Sequence, residues 1–167
     1  NGEYIRNRSL VDFEKVALPF MARSITTEKF DTKLIASLIQ QRTVVLTEIP
    51  EKISFLEKMP EFDPELYFNK KMKTDAAKAL PILAHAKKVL EGIEDFTQEN
   101  VHDEMMNLAK TLEVKNGQLL WPLRIAISNT AVTPGGAIEI AVLLGKEQTL
   151  ARINERMREL EEYGKNA

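Results

Sequence analysis

Residues 121–136 read WPLRIAISNTAVTPGG, and their pattern decides how the chain folds. Laid on a helix at about 100° per residue, Leu119 to Ser128 bring Leu119, Leu123, Ala126 and Ile127 to one side. Trp121, Arg124 and Ser128 turn away from that side or to its flank. A Ser-Asn-Thr turn follows, and then Thr133-Pro134-Gly135-Gly136, which has the composition of a new helix start. Proline at the first helical position sets φ, threonine caps free N–H groups, and two residues without side chains admit another backbone or a base to the positive helix end. From Val114 to Ile138 only Lys115 and Arg124 are charged. The planar fork of Arg124 suits a base edge or a phosphate, and Trp121 could stack on a base. A solvated or salt-bridged arginine and a tryptophan packed on a neighbouring element are the alternatives on these residues alone. The segment has no P-loop lysine.

Working outward, helical signals recur and strand signals are nearly absent. Ser9 with Asp12 resembles a capping box before Phe13, Val16 and Phe20. Thr26 or Thr27 is the expected cap of a helix carrying Phe30, Leu34, Leu38 and Ile39, with Arg42 at its C-terminal end. TVVLT (43–47) reads as a connection, and Thr47 as the cap of the next helix, with Pro50 in its first turn. The proline-rich EKMPEFDPE (57–65) is the expected domain boundary. Pro64 starts a short helix. Asp75 starts a longer one through Leu90, kinked at Pro81 and ended by Gly92. Phe96 and Val101 bracket Thr97 as a hydrophobic staple, predicting a helix to about Leu112. Asn116-Gly117 reads as a turn, and further helices fit 119–128, 135–144 and 146–162. The expected fold is all-α, two small helical bundles in tandem.

Composition narrows the function classes. The 167 residues are 44% hydrophobic and 29% charged, enough for a real core. Lys and Arg number 23 against 25 Asp and Glu, a net charge of −2, so any nucleic-acid binding must come from a local patch. The absence of cysteine excludes disulfides, thiolate metal sites and thiol nucleophiles. His85 and His102 are far apart in sequence, and His102, beside Asp103 and Glu104, reads as a surface histidine. Glu161 and Glu162 are adjacent and do not face each other on a helix, so they form no catalytic pair. No apolar run approaches the ~20 residues of a membrane span, and NGEYIRNRS lacks a signal-peptide layout. A cytoplasmic protein with no membrane partner is expected, and the start at a loop-like Asn-Gly suggests a piece of a longer chain.

The runs NGEYIR, LIQQRTVVLTEIPEKI, FTQENVHDEMMNLA and VKNGQLLWPLRIAISNTAVTPGGAIEIAVLLGKEQTLARI together resemble the C-terminal part of a bacterial glutamyl-tRNA synthetase. The resemblance extends over essentially the whole chain in the family's order. It implies that residues 1–8 end a region contacting the tRNA stem, and that 9–62 and 63–167 are two helical anticodon-binding domains of the class I type. It implies that Arg42, Arg124, Thr133, Pro134 and Gly135, with Gly136 adjoining, line the anticodon. An arginine at the Arg42 position accompanies rejection of the glutamine tRNA in that family. After Arg42 this chain reads Thr-Val-Val-Leu-Thr-Glu, where the family often has threonine directly before the leucine.

The resemblance further implies a parent enzyme that joins glutamate to its tRNA with ATP and magnesium. The HIGH-like and KMSKS-like nucleotide signatures of such enzymes are absent from these residues. The expectation is therefore a monomeric chain that binds the anticodon loop of tRNA and not DNA, holds no cofactor or metal, and catalyses nothing. The competing expectation is a helical scaffold that binds a protein partner through its final amphipathic helix, where Leu150, Ile153, Met157 and Leu160 repeat at helical spacing.

Overall fold

The computed structural model describes residues 2–167. Among them all regular structure is helical, apart from one isolated bridge between Asn69 and Thr74. The chain divides into two compact units, Asn1–Met59 with Val132–Gly135, and Pro60–Ala131 with Gly136–Ala167. The expected all-α class is what the chain adopts.

The first unit is built from α1 (Gly2–Arg6), α2 (Leu10–Met21), α3 (Thr32–Ile39) and α4 (Ile49–Ile53), joined by short 3₁₀ turns. Gly2 is already helical, so no loop occupies that position, while Asn1 lies outside the described residues. Ser9 Oγ accepts from the Asp12 amide at 3.2 Å and starts α2, which buries Phe13, Ala17 and Met21. The cap of α3 is Asp31, accepting from the Leu34 amide at 3.0 Å, whereas Thr26 and Thr27 lead only into a 3₁₀ turn. The later start turns the buried stripe to Ile35, Ala36 and Ile39. Thr47 likewise falls inside a 3₁₀ turn, Leu46–Glu48, and caps no helix.

The second unit holds α5 (Ala76–Glu91), α6 (Gln98–Thr111), α7 (Asn116–Ser128) and α8 (Ala137–Asn166). Asp75 and Thr97 cap α5 and α6 by accepting from the Lys78 and Asn100 amides at 2.8 and 3.1 Å. Helix α5 runs on through Pro81 to Glu91. Pro64 opens a 3₁₀ turn to Tyr67, held by Asp63. Asn116 and Gly117 are the first residues of α7 rather than a turn, because the Lys115 amide donates to Gln118 Oε1 at 3.0 Å and closes the helix start. The chain reversal is made instead at Glu113, in the left-handed region at φ 56°. Helix α8 packs on α5, α6 and α7 and is interrupted at Gly145, at φ 82° and ψ 163°. Only glycine adopts that backbone without strain. There the Ala141 carbonyl receives the buried Thr149 hydroxyl at 3.0 Å.

Candidate nucleic-acid interface

In the first unit, α3 tightens past Ile39 into a 3₁₀ turn of Gln40, Gln41 and Arg42. Buried Gln40 fixes this turn from one side, donating to the Ile5 and Arg8 carbonyls at 3.0 and 2.8 Å. Thr43 fixes it from the other, its hydroxyl donating to Ile39 O at 2.7 Å. Arg42 itself is exposed. Its backbone carbonyl accepts from Lys52 Nζ, which also pairs with Glu48 at 3.0 Å. Glu48 accepts the Val44 amide at 2.7 Å. That bond, with help from Lys52, holds the Glu48 carboxyl below the usual glutamate value.

Arg42, Thr133 and Pro134 line one cavity with Ile39, Lys52 and Val132. Its volume is about 90 Å³, far below that of a metabolite site but suited to the edge of one flat group. Two cations border it, and its other side chains are mostly apolar. Val132 is 82% exposed, an unusual placement for a large aliphatic residue. Buried Thr133 donates from its hydroxyl to the Gly135 carbonyl at 2.9 Å, and Gly135 is in the left-handed region at φ 80°. By contacts, Val132–Gly135 group with the first unit.

Helix α8 begins at Ala137 with Gly136 as its cap, so Pro134 lies outside the first turn rather than at the first helical position. The Gly136 amide donates to Glu139 Oε1 at 2.8 Å, and a carboxylate therefore occupies part of the helix start that sequence left for a ligand. Gly136 belongs to the second unit, as does Arg124.

The Arg124 guanidinium lies over the Trp121 ring at 4.8 Å and donates to the Ala131 carbonyl at 2.9 Å. Burial lowers its pKa from the ordinary arginine value. Trp121 packs rather than stands free, with Nε1 donating to Leu66 O at 3.0 Å. Arg124 is thus a half-buried, oriented cation. Ser128, expected on the outer side, is fully buried and donates to Arg124 O at 2.7 Å, because α7 is enclosed on more of its circumference than one stripe.

The sequence reading missed Ile39, Lys52 and Val132 at the cavity. Lys52 lies ten residues beyond Arg42, behind a connection of no regular period, and spacing gave no signal for it. The signal for Val132 was its place beside Thr133-Pro134. His102 is exposed, with Asp103 as its neighbour at 3.2 Å. Among the described residues no three His, Asp or Glu side chains gather as metal ligands, and no helix is long and apolar enough to cross a membrane.

The chain is 49% identical over 153 residues to a glutamate–tRNA ligase of Clostridium tetani, covering 92% of this chain and 31% of that protein. It is 44% identical over 161 residues to that of Clostridium acetobutylicum, covering 96% and 33%. The chain thus spans about a third of the length of these relatives. Its fold is similar to part of a glutamate tRNA ligase from Elizabethkingia meningosepticum CCUG26117, with a TM-score of 0.80 at 21% identity, covering 96% of this chain and 31% of that one. A glutamate-tRNA synthetase from Elizabethkingia anophelis gives a TM-score of 0.73 at 21% identity, over 94% and 30%. The model of the anticodon binding domain matches residues 12–157, and with these helices in these two units the chain belongs to that family.

Proposed function

We propose that this chain reads the anticodon loop of tRNA as the C-terminal part of a glutamate–tRNA ligase. The observation that carries the reading is the exposed Arg42 at a small cavity shared with Lys52, Val132, Thr133 and Pro134. RNA read by sequence is largely single-stranded, its unstacked bases bonded along their edges. An arginine offers only donors. It suits the acceptor edge of cytosine, while a guanine in that place brings its own N–H donors against the fork. Glutamate and glutamine anticodons differ as C against G at the third base, so Arg42 discriminates the glutamate tRNA. Arg124 and the turn at Thr133, Pro134, Gly135 and Gly136 contact the rest of the loop. Residues 1–8 then end the stem-contact region, and 9–62 and 63–167 are the two anticodon-binding domains.

The whole protein attaches glutamate with ATP and magnesium in the cytoplasm, and acts as a monomer. The rival scaffold reading is weakened by α8, whose Ile153 and Leu160 are already buried within its own unit.

The test is a titration with anticodon stem-loops that differ in one base. The chain should prefer C over G at the third position, and Arg42→Gln should relax that preference with little loss of stability. Equal binding of both stem-loops by the unchanged chain, or an undiminished preference in the variant, overturns the assignment.

A further inference from the structure

Arg42 is presented on a short 3₁₀ turn, and a long exposed side chain on such a turn selects a base only if its backbone origin is held still. Gln40 and Thr43 anchor the turn on its buried side. On the outer side Lys52 Nζ donates to the Arg42 carbonyl, and the same ammonium pairs with Glu48 at 3.0 Å. Glu48 in turn accepts the Val44 amide at 2.7 Å. The links close a ring around residues 42–48 in which each charged group meets both a backbone group and its partner. The Lys52 and Glu48 side chains are each 30% exposed, and such a pair adds little to global stability. Its geometry is therefore better explained by what it positions.

We infer that Glu48 and Lys52 are positioning residues, a clasp that sets where the Arg42 fork stands and so governs which base the cavity accepts. The inference rests on the reading of Arg42 as a base reader. It assigns specificity to Glu48, which does not line the cavity, and to Lys52, which borders it, and gives Lys52 a task other than neutralising phosphate.

The two tasks predict opposite outcomes. Glu48→Ala opens the clasp and releases Lys52 from its carboxylate. A positioning role then lowers the C-over-G preference by roughly five- to tenfold, about the worth of one lost hydrogen bond. A phosphate-binding role leaves the preference intact and raises affinity for both stem-loops evenly. Lys52→Met should lower the preference to the same extent, and the double variant no further, because the two residues act through one device. Lys52→Arg, which still donates to carbonyl and carboxylate, should restore it. Amide exchange at Val44, measured without RNA, should quicken in Glu48→Ala while the melting temperature barely moves.

An even loss of affinity in Lys52→Met, with the salt slope reduced by about one phosphate contact and the preference intact, overturns the clasp. Unchanged exchange at Val44 also overturns it. If the unchanged chain shows no C-over-G preference while Val44 exchange responds as expected, the base-reading assignment of Arg42 is what has failed, and the specificity role falls with it.

Discussion

The Trp121 ring beneath Arg124 and the Ala131 carbonyl ahead of it help to aim its fork. Arg124→Ala should weaken binding of the anticodon stem-loop by ~1 to 3 kcal/mol, the worth of a well-placed fork on a base. Its cost to stability should be modest, about 1 kcal/mol, for the lost ring contact and carbonyl hydrogen bond. A large drop in melting temperature with undiminished affinity in the folded fraction would assign Arg124 to structure alone. The two adjoining glycines differ in kind. Gly135, at φ 80°, is where alanine is strained, so Gly135→Ala should cost about 1 to 2 kcal/mol. Gly136 has negative φ, and a Cβ there meets nothing nearer than Glu139 Oε1 at 3.6 Å. Gly136→Ala should therefore stay within about 0.5 kcal/mol of the parent. Urea midpoints of the two variants check the contrast, and equal costs would contradict it.

At the scale of elements, helix ends whose cap lies next to an apolar period were legible in sequence, and ends closed by other means were not. Thr97 and Asp75 start α6 and α5 where the Thr and Asp signals placed them. The helices expected over 135–144 and 146–162 meet at Gly145, where α8 is interrupted. By contrast, Asp31 outcompetes Thr26 and Thr27 as a cap because its carboxylate reaches the Leu34 amide, and Asn116-Gly117 continues into helix because Gln118 closes the end behind it. The most consequential feature of α8 was hidden. Arg152 and Arg156 are both buried, and Arg152 Nη1 donates to the Ile127 carbonyl near the end of α7 at 2.8 Å. Burial, and then the neighbouring Arg156, lower the Arg152 pKa to about 10. Arg152→Met should destabilise by about 1 to 3 kcal/mol through the carbonyl left unpaired, less whatever relief of desolvation and repulsion returns. A urea midpoint at or above that of the parent would show that relief dominates.

For the whole molecule, a net charge of −2 conceals local arrangements that make stability sensitive to acid. Glu48, Glu57 and Glu155 all have folded-state pKa values below 4.5, held there chiefly by hydrogen bonds to Val44, Thr26 and Arg158 respectively. Lowered folded values mean stability fully present above the unfolded value and lost as pH falls through the folded ones. The urea midpoint should therefore fall as pH drops from about 5 through the lowered values, modestly because the groups are largely exposed, and by less in ~1 M salt. A midpoint rising with acid would contradict the sign. The sequence by itself determined the helical class, because capping residues and the 3.6-residue apolar period are local properties that hold wherever the helix is placed. It also supplied the identity of the cationic side chains. Only the tertiary structure decided that Val132–Gly135 group with the first unit, that Lys52 returns to the Arg42 carbonyl, and that two arginines of α8 lie buried. Those facts depend on chain segments meeting across loops of no fixed period, where packing selects partners that spacing cannot name.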